Sequence, residues 1–105
     1  MAVVGCRLDS QALAEQLARY HQLGSTAVRI ERHVRGAVVA FASGVDVGLL
    51  ERTLTQERAC CSFLVLDYDS VRRELSLDTD ADGQDALDAI MAAITAGFVA
   101  GSRSG

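Results

Sequence analysis

The chain has 105 residues, half of them hydrophobic, with 5% aromatics and neither Trp nor Pro. That length suits one domain, whose core Leu, Val, Ile and Ala can build without covalent staples. A formal charge of −4 and a pI near 5.0 argue against nucleic acid or anionic membrane as partners, since both call for a basic face.

Val4, Cys6 and Leu8 alternate with Gly5 and Arg7, which predicts a short strand with Cys6 on its buried side. Asp9 or Ser10 can cap the next helix, whose apolar stripe is Leu13, Leu17 and Tyr20, with Gly24 placed to end it. Val28 and Ile30 then alternate with Arg29 and Glu31, Arg35–Gly36 makes a turn, and "AVVAFA" returns, so 26–42 is expected to be a hairpin. Gly44 breaks the pattern and Asp46 can cap a second helix over about 47–61. "FLVLDYD" and "RRELSLD" read as a second hairpin around Asp69–Ser70. The last helix has the stripe Leu87, Ile90, Met91, Ile94 and Phe98, and "GSRSG" reads as a frayed tail. The expectation is a single α+β domain over 1–100 with a disordered tail over 101–105. Its order is βαββαββα: a mostly antiparallel sheet with helices packed on one face. The other face is left wet or open to a second copy, which is compatible with a homodimer.

No run approaches the roughly 20 apolar residues that span a bilayer. "MAVVGC" lacks the charged start and long apolar region of a signal peptide. A cytoplasmic location follows as the expectation, and there thiols stay reduced. An odd count of three cysteines also speaks against a disulfide framework.

The second helix is the most informative segment. Val47, Leu50, Leu54, Glu57 and Cys61 fall on one stripe at helical spacing. A buried carboxylate without a partner is costly, so Glu57 either has one or sits at the edge of the core. Cys60 and Cys61 follow it by three and four residues, in one neighbourhood on a helix. Cys6, on the core side of the first strand, can converge with them. Three thiols and a carboxylate suit a soft ion, because thiolates select such metals. The bland alternative is that the cysteines are core filler, as small buried hydrophobes, and that Glu57 lies on the helix surface.

A redox disulfide between adjacent cysteines would distort the intervening peptide. A free thiolate nucleophile is poorly served as well. The helix C-terminus carries partial negative charge, and Arg58, the only adjacent cation, is opposed by Glu57. A bound metal brings its own positive charge and deprotonates its thiols.

With "VVGCRLDSQALAEQLARYHQL" at its opening and "ERACCSF" at 57–63, the chain resembles a group of small bacterial proteins built on an E-x-x-C-C-x-F core. In that group a single Cys on a first strand precedes an amphipathic helix. The resemblance covers most of residues 3–80, with Cys6, Glu57, Cys60, Cys61 and Phe63 at the matching positions. It implies a connection with heavy-metal resistance, to mercury or arsenic. The chain departs from the pattern at Ser62, where Pro is usual, and at Gln16 and Leu17, where the resemblance leads one to expect a pair of arginines.

Other signals are weaker. "DTDADG" at 78–83 mimics the start of a calcium loop, but the ninth and twelfth positions hold Ala86 and Ala89 and a strand precedes it. It is better read as a solvated turn, with Asp82 capping the last helix and Asp85 in its first turn. His21 and His33 lack metal-ligand spacing and are assigned to the surface.

Three functions compete. The first is a cytoplasmic protein that binds a soft metal or metalloid, Hg, As(III), Cu(I) or Zn, through Cys6, Cys60 and Cys61. The second is a thiol/carboxylate enzyme of the organomercurial-lyase type, in which the thiols take the metal and Glu57 delivers the proton. The third is a dimeric structural or interaction module. A small molecule in the cleft between sheet and helices stays open as a ligand.

Overall fold

A computed structural model of the chain describes residues 10–60 and 64–104. Over these it shows helices on one face of an antiparallel sheet: α1 (Ser10–Gly24), β1 (Ala27–His33), β2 (Gly36–Phe41), α2 (Val47–Cys60), β3 (Leu64–Asp69), β4 (Glu74–Thr79) and α3 (Gln84–Ser104), with a single 3-10 turn at Ala81–Gly83 before α3. The α+β class and both hairpins are as the sequence predicts. The expected first strand, with Val4, Cys6 and Leu8, lies outside the described residues, as do Cys61, Ser62 and Phe63.

The strand order is β1-β2-β4-β3, every pair antiparallel. The second hairpin therefore inserts its later strand beside β2, and among the described residues β3 is the outer strand. Period-2 alternation sends Ala37, Val39 and Phe41 of β2, Leu75 and Leu77 of β4, and Leu64 and Leu66 of β3 towards the helices, all of them buried. Leu50 and Leu54 of α2 and Leu87, Ile90, Met91 and Ile94 of α3 close the core above them. The opposite face is charged. In register, Arg29 pairs with Ala40 and Ala40 with Glu74. Arg29 bridges to Glu31 at 2.8 Å and to Glu74 at 3.0 Å, and Ala40 beneath is buried. The Glu74 hydrogen bond, helped by the charge of Glu31, pushes the Arg29 pKa further above its ordinary value. A bulge between Ala27 and Arg29 leaves Val28 exposed.

α1 and α3 approach closely because glycines stand at the contact. A Cβ on Gly24 would collide with the backbone oxygen of Ile94, and one on Gly97 with that of His21. Gly101 lies against Ser25 in the same way, and α3 runs on to Ser104. Residues 101–104, read from sequence as a tail, thus continue a helix anchored by its glycine contacts.

Local capping follows the sequence in one case and departs in another. Asp46 caps α2, its Oδ1 accepting from Leu49 N at 3.0 Å. Before α3 the cap is Asp80 rather than Asp82: Asp80 Oδ1 accepts from Asp82 N and Gly83 N. The 3-10 turn inserted ahead of the helix moves the first free N–H groups two residues upstream. Asp85 stands in the first turn of α3 as expected. His21 and His33 are both exposed.

Candidate functional site

The α2 stripe is rotated from the one read off the sequence. Val47 is 47% exposed, whereas Leu49, Leu50, Thr53, Leu54 and Glu57 are buried. Thr53 is satisfied within its own helix, donating to Leu49 O at 2.7 Å. Glu57 is only 2% exposed, so of the two alternatives for this carboxylate, a partner in the core is the one realised.

Those partners come from α1. Gln16 Nε2 donates to Glu57 Oε1 at 3.1 Å and to Thr53 O at 2.9 Å. Tyr20 OH donates to the same Glu57 oxygen at 2.9 Å. Arg19, on the flank of α1, donates to Gln16 Oε1 at 2.8 Å. Since Gln16 Oε1 accepts from Arg19, its NH₂ is the group that faces Glu57. The result is a chain of donors running inward, Arg19 to Gln16 to Glu57, with Tyr20 closing from one turn further along α1. Both bonds have Glu57 as acceptor, the charge-assisted geometry of a carboxylate. Tyr20 and Glu57 also take part in further interactions.

Sequence reasoning named Tyr20 as apolar stripe and Gln16 as a departure from a family pattern, and it linked neither to Glu57. One signal was available: Gln16 lies at i−4 from Tyr20 and at i+3 from Leu13, so a polar amide occupies a core position. It is 1% exposed.

A small cavity of about 20 Å³ adjoins this network, lined among the described residues by Leu13, Gln16, Leu17, Glu57, Ala86, Ala89 and Ile90. That is room for one water-sized group. It brings α3 into the site as the apolar wall opposite the carboxylate.

Pairings fix the direction of the helices. Gln16 meets Glu57, while Arg19 shares a surface groove with Gly48 and Arg52, so α1 and α2 are antiparallel. The first turn of α1 consequently lies at the same end of the molecule as Cys60, the last residue of α2. Arg58, the cation next to the cysteines in sequence, is engaged elsewhere: its guanidinium donates to Leu66 O on β3 at 2.8 Å.

Of the predicted ligands, Cys6 and Cys61 lie outside the described residues, and for Cys60 only its place at the end of α2 is described. Among the described residues no three His, Cys, Asp or Glu side chains converge as a metal-binding group, and no helix is long and apolar enough to cross a membrane. No protein-family model matches the chain, and neither a curated protein nor a solved structure does.

Proposed function

We propose that the protein binds a soft metal or metalloid ion, Hg(II), As(III), Cu(I) or Zn(II), through the thiolates of Cys60 and Cys61, with Cys6 as a third donor. Glu57 carries this reading. A carboxylate 2% exposed stands one helical turn before two adjacent cysteines, held by two donors beside a cavity of atomic size. An ion held by the neighbouring sulfurs brings its positive charge towards this carboxylate. The resemblance of "ERACCSF" to the E-x-x-C-C-x-F proteins supports the same direction, as does the cytoplasm as the place where such thiols stay reduced. A cavity of this size favours a bare ion over a bulky organic molecule.

The enzyme reading ranks second. A carboxylate next to a methyl-sized apolar space suits proton delivery to a small alkyl group on a thiolate-bound metal, but both bonds to Glu57 Oε1 come from donors. A dimer through the open sheet face is the weakest of the expectations, because Arg29, Glu31 and Glu74 occupy that face.

Native mass spectrometry of the freshly reduced protein, offered the four ions in competition, tests the proposal. The expected result is one ion per chain with loss of two or three protons, abolished in Cys60→Ser/Cys61→Ser. Equal uptake by that double variant, or no adduct at micromolar ion, would sink it. Hydrocarbon release from an organomercurial, lost in Glu57→Gln with the metal still bound, would move the enzyme reading to first place.

A further inference from the structure

Among the described residues β1 pairs with β2 alone, so its other edge is an outer edge of the sheet. The groups on that edge follow from the hydrogen bonds of β2. Phe41 N donates to Arg73 O, and Thr79 N donates to Arg35 O. The odd residues from 35 to 41 therefore turn their backbone groups to β4. The even ones, Gly36, Val38 and Ala40, stand opposite His33, Glu31 and Arg29 of β1 and turn theirs to it. Ile30 and Arg32 are left with N–H and C=O directed outward, a row that invites another strand. The strand, AVRIERH, carries no Lys or Pro to blunt it.

Charge says what fits this edge. When Ile30 lies opposite Ile30 of an antiparallel second copy, Arg29 faces Glu31 and Glu31 faces Arg29. The neighbouring registers, two residues away on either side, set Glu31 against Glu31 or Arg29 against Arg29. The strand is thus complementary to itself in one register, as a twofold contact requires. Within the chain the Arg29–Glu31 pair is about half exposed, so both side chains are open to a second strand.

The flank of α3 beside this edge points the same way. From Ala89 to Ser102 no residue is charged, yet Ala92, Thr95, Ala96 and Val99 form an exposed stripe. A helix that is apolar all round is normally covered on every side. An open groove between this flank and β1 is lined by Ile30, Met91, Ala92, Thr95 and Ala96, together with the ion pair Arg32–Asp88.

We infer that the protein forms a twofold dimer through the edge of β1. The sheet continues across the two copies, and the apolar flanks of α3 pack over the junction. The contact uses a strand edge and a helix flank rather than the charged open face of the sheet. It lies on the helix whose Ala86, Ala89 and Ile90 wall the Glu57 cavity, and it does not depend on the thiolate reading.

Sedimentation equilibrium and backbone hydrogen exchange on the reduced, metal-free full chain test the inference. Wild type should dimerise as concentration rises, with the Ile30 and Arg32 amides exchanging more slowly as it does. Arg29→Glu and Glu31→Arg should each weaken dimerisation about 10-fold or more, since two cross-strand pairs change from attraction to repulsion. An equimolar mixture of the two variants should dimerise again, because each supplies the charge the other lacks. Ala92→Glu should weaken the dimer without touching the strand, and it decides the matter if the strand variants do not fold. A chain still monomeric at millimolar concentration overturns the inference. So does a dimer that all three substitutions leave intact, or slow exchange of Ile30 and Arg32 in a monomer, which would place another segment of the same chain on this edge.

Discussion

Tyr20→Phe removes one oxygen from the core and almost nothing else. The ring is fully buried and stays, so apolar burial is nearly unchanged. The hydroxyl donates to a carboxylate that is itself 2% exposed, and solvent cannot replace the lost donor cheaply. A hydrogen bond to a charged group contributes about 1.5–3 kcal/mol. For a domain of this size each kcal/mol moves the melting temperature by roughly 4–6 °C, so the variant should melt roughly 6–18 °C lower. Urea unfolding of wild type, Tyr20→Phe, Glu57→Leu and the double variant isolates the pair. With Glu57 replaced, the hydroxyl has lost this acceptor and Tyr20→Phe should cost about 0.5 kcal/mol or less, a coupling of about 1–3 kcal/mol. An equal cost in both backgrounds, at unchanged denaturant slope, would refute the assignment and give the hydroxyl's worth to its other interaction.

Gly97→Ala forces a methyl group against the His21 carbonyl of α1 and should cost about 1–3 kcal/mol or more; a stability gain, as for an ordinary helical Gly→Ala, would show that the two helices do not meet there. Leu54→Ala, in the buried stripe of α2, should lose about 2–5 kcal/mol, while Val47→Ser should stay within about 1 kcal/mol; reversed costs in urea unfolding would restore the stripe through Val47. Asp46→Ala removes the cap on α2 and should cost about 0.5–2 kcal/mol, with Asp46→Asn recovering most of it in a thermal melt.

Short-range signals carried most of the fold. Period-2 runs around Arg35–Gly36 and Asp69–Ser70 marked two hairpins because alternation and turn chemistry act within a few residues. The 3.6-residue stripe of Leu87, Ile90, Met91 and Ile94 marked α3 for the same reason. Such signals say nothing of which hairpin strand meets which, so β4 beside β2 was settled by packing alone. The site divides along the same line. Chemistry made the E-x-x-C-C run conspicuous, since adjacent thiols and a carboxylate are rarely placed together without a use. What surrounds Glu57 comes from residues 37 and 41 positions away. Only the tertiary fold could turn a glutamine on α1 inward onto Glu57 and leave the Thr79 hydroxyl buried without a partner among the described residues. Local sequence specifies which element forms, because propensity and periodicity act along the chain. Burial and partnership depend on what folds over that element, and here the folding partners are separated by a helix, a hairpin or more.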